Sequence, residues 1–333
     1  MTLQLTYGGY VTDRVVDLYN GDVKPSGIDL HFINADVEHI FHRMTFNKEF
    51  DASEMSFSTY IARVARNESP FIAIPVFPSR MFRHSSIYIN KRSGIKEPKD
   101  LAGKRVGVPE YQMTAALWAR GILLNEYGVK PEEIAEWVTG GLHMPGRRQM
   151  VSTDIPNVKI TRETTKTLND MLAAGELDAL VSAREPHALE IGHPDIDRMF
   201  PNYDEVEMAY YNKTKMFPLM HTVVIRKDFY EKYPWAAVSL YEAFEQAKDN
   251  CLERMVVHGL SELPISLPWI AKEISKTRNL MGEDFWPYGL EKNFKELDAM
   301  CQYSYEQGIS PRRVNPEELF APNVLSMALT SKI

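Results

Sequence analysis

Short strand-like segments alternate with helical ones along the first part of the chain, and this order constrains the fold more than any other feature. Residues 3–7 alternate apolar and polar side chains, as a half-buried strand does. Residues 37–46 place apolar side chains on one face of a helix, and residues 71–77 are rich in Ile, Val and Phe, which is typical of a buried strand. This βαβα order predicts an α/β fold in which a parallel sheet carries helices on both faces.

The same order begins again in the middle of the chain, which predicts two lobes. Residues 86–90 start a new series of strands, and residues 222–226 form one more strand before the sequence becomes helical. We expect a first lobe of residues 1–88 plus 222–333, which includes the C-terminal helices, and a second lobe of residues 89–221. Two hinge crossings would then join the lobes, with a ligand cleft between them.

Charge and hydropathy argue against several classes of protein. Charged residues make up 25% of the chain and the net charge is −7, so a nucleic-acid-binding protein is not expected. Apolar runs stay well below the roughly 18–20 residues of a membrane span. The opening sequence, MTLQLTYGGY, has neither the basic nor the apolar segment of a secretory signal. We therefore expect a cytoplasmic protein without a membrane partner, and leave open that it forms a homo-oligomer.

Basic side chains cluster directly after the buried strand of the first lobe. The segment PSRMFRH, residues 78–84, places Arg80, Arg83 and His84 beside the first predicted crossing. Two guanidinium groups at this position are suited to bidentate binding of carboxylates. The alternative is a pair of surface arginines without a ligand.

A second polar segment, DASEMSFSTY, follows another predicted strand at residues 51–60. Glu54 and Ser56 would lie where this strand ends, at the mouth of the cleft. The alternative for Ser56 is simple capping of the helix that follows. Glu54 is less easily explained by capping, because its neighbours are apolar or carry hydroxyl groups.

The second lobe contributes further candidates for substrate binding. Tyr111 and Thr114 lie in VPEYQMTA, at a strand-to-helix junction whose backbone N–H groups suit an anionic oxygen. Arg147 lies in a glycine-rich loop, for which a flexible surface loop is the alternative interpretation. Arg184 follows a strand, and His221 lies at the second crossing, opposite His84 across the predicted hinge. A lone histidine at the start of a strand often has only a structural role.

Sequence signatures of common catalytic and metal sites are missing, including GxGxxG, Walker A, GxSxG and HExxH. His39 and His42 share a helix face, but a metal site needs three or four convergent ligands. We therefore expect no cofactor. A divalent metal bound by Glu54 with His84 or His221 remains an alternative that the spacing does not support.

Seven long and distinctive sequence segments lie between about residue 51 and residue 313. In chain order they are DASEMSFSTY, PVFPSRMFRHSSIYIN, DLAGKRVGVPEYQMTAALWARGIL, TKMFPLMHTVVIR, YPWAAVSLYEAFEQAK, MGEDFWPYGLEKN and YSYEQGISPRR. Together they resemble the 4,5-dihydroxyphthalate decarboxylase family. That family is similar in fold to type II periplasmic solute-binding proteins, in agreement with the two lobes. The resemblance implies non-oxidative loss of one carboxylate from a dihydroxylated aromatic diacid, giving protocatechuate and CO₂. Trp286 and Tyr288 belong to it, as aromatic side chains that stack on a flat ring or pack a corner.

This reaction requires an acid near a ring carbon, an acceptor near the phenols and cations for two carboxylates. Histidine titrates in the useful pH range. The residues are assigned from position and chemistry as follows: His221 or His84 as the acid, Glu54 as the phenol-side base or acceptor, Arg80, Arg83 and Arg184 as carboxylate clamps, and Ser56, Tyr111 and Thr114 as orienting groups. The alternative function is a solute-binding protein for an aromatic acid, because the same fold serves both roles.

Overall fold

Two β-sheets organise the structure, which is a computed structural model that describes residues 2–146, 154–257 and 266–330. The strands are β1 (Leu3–Gly9), β2 (Ile28–Asn34), β3 (Ala52–Ser56), β4 (Phe71–Ile74), β5 (Ile87–Asn90), β6 (Arg105–Val108), β7 (Glu136–Thr139), β8 (Ile160–Arg162), β9 (Ala179–Val181), β10 (Ile196–Arg198) and β11 (His221–Arg226). The helices are α1 (Val16–Asn20), α2 (Val37–His42), α3 (Phe57–Ala65), α4 (Thr114–Tyr127), α5 (Leu168–Ala174), α6 (His187–Glu190), α7 (Tyr203–Thr214), α8 (Lys227–Lys232), α9 (Trp235–Val257), α10 (Ile270–Met281), α11 (Phe294–Glu306) and α12 (Pro322–Thr330).

The first sheet has the strand order β2-β1-β3-β11-β4. Strand β1 pairs in parallel with both β2 and β3, whereas β11 runs antiparallel between β3 and β4. The second sheet has the order β10-β5-β9-β6-β7-β8. Its centre is parallel, and β5 runs antiparallel to both of its neighbours. We call the units built on these sheets the first and second lobes.

The predicted α/β class with two lobes and C-terminal helices is confirmed, although the sheets are mixed rather than purely parallel. The two strands that break the parallel order, β5 and β11, are those at which the chain passes from one lobe to the other. The first sheet draws its strands from residues 3–74 and 221–226, and the second from residues 87–198. The division at residues 88 and 222 stays a prediction.

The C-terminal helices bind the two lobes together. Helix α11 packs against α3 of the first lobe and α4 of the second. Its Tyr303 ring lies edge-on to Trp118 of α4, with ring centroids 5.6 Å apart. Gln307 accepts a hydrogen bond from Arg120 Nε at 2.8 Å and donates one to the Leu117 carbonyl at 3.0 Å. A continuous apolar core therefore runs through both lobes.

The topology brings the ends of several strands together at one place. In the β3–β11 ladder Ser56, the last residue of β3, stands opposite His221, the first residue of β11. Helix α3 starts immediately after Ser56, and α4 starts at Thr114 in the second lobe. Among the helices in the described part of the chain, none is both long and apolar enough to cross a membrane.

Candidate functional site

A buried carboxylate and a histidine form a tight pair between β3 and β11. Nδ1 of His221 lies 2.6 Å from Oε1 of Glu54, and only 3% of Glu54 is exposed. The other carboxylate oxygen, Oε2, accepts the backbone N–H of Tyr10 at 3.2 Å. Because both oxygens have partners, Glu54 fixes the histidine through Nδ1 and leaves Nε2 as the ring nitrogen for a ligand.

The face of this histidine ring is also held in place. Phe41 of α2 contacts the His221 ring at right angles, with the ring centroids 4.9 Å apart. The imidazole is half-buried, so it is restrained on one side and reachable on the other. The sequence analysis predicted Glu54 and His221 as site residues, and the structure brings them together.

Two helix N-termini from different lobes meet beside the histidine. The hydroxyl groups of Ser56 and Thr114 share a hydrogen bond of 3.0 Å, and Thr114 Oγ1 also accepts the backbone N–H of Ser58 at 3.1 Å. Ser56 itself does not cap α3 through its side chain, so Thr114 of the other lobe supplies the capping oxygen. Helix N-termini carry partial positive charge and unpaired N–H groups, which favours a carboxylate.

Polar groups without partners line the same junction. Among the described residues, the buried Oγ of Ser58 and the buried Nε2 of Gln112 have no hydrogen-bond partner. Ser58 lies in the first turn of α3, and Gln112 lies two residues before the start of α4. Buried polar groups are usually paired, so these two are available to a ligand oxygen.

The two arginines of the PSRMFRH segment are buried and already bound to protein atoms. Arg80 donates to the carbonyl oxygens of Phe217 and Pro287 at 3.2 and 2.5 Å, and to the side chain of Asn293. Burial lowers the pKa of Arg80 to about 10. These hydrogen bonds hold the second crossing and the C-terminal segment. We therefore do not include Arg80 in the proposed site.

Arg83 is held in a similar way. Its Nη2 lies 2.6 Å from the sulfur of Met220, and Nη1 donates to Ser86 Oγ at 3.2 Å. Burial lowers the pKa of Arg83 to about 10 as well. These contacts use the face of the guanidinium that a carboxylate would need, so Arg83 is also left out of the proposed site.

His84 lies in an aromatic environment rather than beside Glu54. Only 1% of it is exposed, and its ring packs against Tyr127, Phe200 and Tyr210. Burial lowers the pKa of His84 to about 4, so its imidazole is neutral near pH 7. A neutral, enclosed imidazole is a poor proton donor, which leaves His221 as the better of the two predicted acids.

Three other predicted binding residues occupy varied positions. Tyr111 is fully buried, with the guanidinium of Arg120 stacked 3.7 Å from its ring centroid. Arg184 is exposed, and its Nη2 forms an ion pair with Oδ2 of Asp36 in the first lobe at 2.8 Å. Arg147 lies outside the described residues. Neither Tyr111 nor Arg184, both within the described part of the chain, makes a hydrogen bond or an ion pair with His221.

Trp286 and Tyr288 pack in a corner beneath the first lobe. The indole N–H of Trp286 donates to the Phe77 carbonyl at 2.9 Å, and the guanidinium of Arg14 covers its ring at 3.9 Å. Tyr288 is buried, which raises the pKa of its hydroxyl well above the usual value. One face of Trp286 is thus already occupied by Arg14, and the stacking role predicted for it stays a prediction.

Two residues in the loop after β1, Tyr10 and Arg14, were not predicted from the sequence as part of the site. The backbone of Tyr10 supports Glu54, and Arg14 stacks on Trp286 while donating to the Pro78 carbonyl at 3.2 Å. The available signal was their position at the carboxyl end of a parallel strand, where ligands bind in such folds. Within the described residues, no group of three or more His, Cys, Asp or Glu side chains is arranged to hold a metal ion.

Comparisons with known proteins relate the chain to two curated sequences. It is 39% identical to the 4,5-dihydroxyphthalate decarboxylase of Comamonas testosteroni over 324 residues, which cover 97% of each chain. It is 41% identical to the 4,5-dihydroxyphthalate decarboxylase of Pseudomonas putida over 202 residues, covering 60% of this chain and 77% of that protein. Residues 81–192 also match the NMT1/THI5-like family model.

Solved structures share the fold at low sequence identity. The periplasmic aliphatic sulphonate-binding protein SsuA of Escherichia coli superimposes with a TM-score of 0.56 at 12% identity, covering 98% of this chain and 100% of that one. This likeness places the two lobes in the architecture of periplasmic binding proteins.

Proposed function

The chain belongs to the 4,5-dihydroxyphthalate decarboxylase family, and on that basis we propose that it removes one carboxylate from 4,5-dihydroxyphthalate to give protocatechuate and CO₂. It would act as a carboxy-lyase in the breakdown of aromatic acids. The observation that carries the proposal is the Glu54–His221 pair beside two helix N-termini, in a chain related to these enzymes along nearly its whole length.

The chemistry needs one proton donor at the ring. The hydroxyl para to the departing carboxylate gives its proton to solvent and pushes electrons into the ring, and the phenolate takes a proton back from solvent after CO₂ has left. The carbon that bears the carboxylate then takes up a proton, which leaves a dienone. The bond to the carboxylate breaks, its electron pair restores the aromatic ring, and CO₂ leaves. General acid catalysis of such a step typically contributes about 10²–10⁴ in rate.

We propose that Nε2 of His221 donates the proton that the ring carbon takes up. The carboxylate of Glu54 accepts the Nδ1 proton and orients the ring. From the sequence, Glu54 was expected to act as the phenol-side base or acceptor. Both of its oxygens are engaged by His221 and Tyr10, so a positioning role fits the geometry better.

Because Arg80 and Arg83 are bound to protein atoms, we propose that the positive potential for a substrate carboxylate comes from helix N-termini. The N-termini of α3 and α4 offer partial positive charge, and the hydroxyl groups of Ser56, Ser58 and Thr114 offer hydrogen bonds. We propose that one carboxylate binds at this junction, next to Nε2 of His221. The attraction between such preorganised dipoles and a carboxylate becomes stronger when water is excluded from the site.

Incubation of the purified protein with 4,5-dihydroxyphthalate tests the proposal directly. The expected result is equimolar CO₂ and protocatechuate, with faster turnover than for phthalate derivatives lacking the para hydroxyl. A protein that binds the diacid tightly but forms no product would instead be a solute-binding protein for aromatic acids.

A further inference from the structure

Tyr10 combines an unusual pair of properties. It is the first residue after β1, and its backbone N–H donates to Oε2 of the buried Glu54 at 3.2 Å. Its side chain is nevertheless 50% exposed. Tyrosine is generally covered over much of its surface, so a half-exposed ring beside a buried site has surface to offer a ligand.

The other aromatic rings around the site already have partners. Phe41 contacts the ring of His221, one face of Trp286 is covered by Arg14, and Tyr288 is buried. Among the described residues, the ring of Tyr10 pairs with no other ring and its hydroxyl makes no hydrogen bond. Tyr10 is therefore the aromatic side chain of this group with an open face.

We propose that Tyr10 stacks on the aromatic ring of the substrate and selects flat diacids over non-planar ones. The inference rests on the proposed function, because it names the side chain that contacts the aromatic ring of the same substrate. Tyrosine suits this task because its rigid ring offers a large contact area with little loss of conformational freedom. Its role is separable from that of Glu54, since the supporting N–H belongs to the backbone and survives substitution of the side chain.

The test compares two diacids that differ in flatness. The ring of phthalate is planar, while cis-cyclohexane-1,2-dicarboxylate carries the same two charges on a puckered ring. Calorimetry on the unmodified protein should give a lower Kd for phthalate. In Tyr10→Leu, the Kd for phthalate should rise about threefold to tenfold, while the Kd for the puckered diacid changes little. Tyr10→Phe should keep the preference, because it keeps the ring.

Tyr305→Leu is the matched control, because Tyr305 is 49% exposed on α11 and makes no ring contact among the described residues. It should leave both affinities unchanged. An unchanged preference in Tyr10→Leu, an equal loss for both diacids, or no binding of phthalate by the unmodified protein would overturn the inference. If the preference depends on Tyr10 but 4,5-dihydroxyphthalate is not decarboxylated, the proposed function fails and the stacking role stands.

Discussion

Replacing His84 with leucine is expected to make the protein more resistant to acid. The imidazole is enclosed by Tyr127, Phe200 and Tyr210, and its Nδ1 has no hydrogen-bond partner among the described residues. Leucine has a similar size and carries no polar group. Removal of an unpaired buried polar group also removes its desolvation cost, so the variant should be at least as stable as the unmodified protein near pH 7.

The magnitude follows from the difference in pKa between the two states of the chain. Burial lowers the pKa of His84 from 6.5 to about 4, so the unfolded chain takes up this proton at a higher pH than the folded one. As the pH falls from 6.5 towards 4, the free energy of unfolding decreases by about 3 kcal/mol in total, at about 1.4 kcal/mol per pH unit. At about pH 5 the decrease is about 2 kcal/mol.

Urea unfolding of both proteins at about pH 7.5 and about pH 5 measures this effect. The leucine variant should gain about 2 kcal/mol relative to the unmodified protein when the pH is lowered. Glu207 lies in the same region with a pKa raised by burial, and it titrates in both proteins, so the difference between them isolates His84. His143→Gln, at an exposed histidine, is the control and should show no such gain. A gap that stays constant with pH would refute the assignment of His84 as a buried, neutral side chain.

Three further substitutions test other parts of the account. Glu54→Gln keeps the shape but removes the charge next to His221, so kcat should fall at least about tenfold while KM changes little; a fall in affinity alone would contradict the positioning role. Thr114→Val removes the oxygen that caps α3, and should lower the free energy of unfolding by about 1 kcal/mol and raise KM, whereas an unchanged KM would separate this junction from the substrate. Gly121→Ala should lower stability by about 1–3 kcal/mol, because a Cβ there would overlap the Tyr303 ring; an unchanged Tm would contradict the close packing of α4 and α11.

Much of the fold was predictable because it depends on local patterns. Apolar alternation and helical periodicity indicate β1, α2 and β4 within a few residues of their observed bounds. Strand direction was not predictable for β5 and β11, since it depends on the lobe from which the chain arrives. Helix α7 was also missed, because Tyr210 is its one fully buried residue and a polar helix carries little apolar periodicity.

The candidate site shows the same limit. Ser56, Thr114 and His221 were predictable because each stands at a strand end or a helix start, and the topology brings such positions together. Glu54 was predicted at the end of its strand but is the central residue of β3. The environment of Arg80 was not predictable. Its partners come from residues more than a hundred positions away along the chain, and local sequence carries no signal for them.

The burial of His84 was also not predictable from the sequence. Its ring is enclosed by helices that follow later in the chain, including α4 and α7. Tyr10 went unnoticed because nothing in MTLQLTYGGY marks it apart from its place after a strand. Judged by residue type alone, the basic segment PSRMFRH was the better candidate for substrate binding than the loop after β1.

The rate of protocatechuate formation by His221→Gln, compared with the unmodified protein at saturating 4,5-dihydroxyphthalate, tests the central claim most directly. Glutamine keeps a polar side chain but has no titratable proton, so turnover should fall by about 10²–10⁴ while the diacid still binds. Turnover equal to that of the unmodified protein would contradict the assignment of His221 as the proton donor.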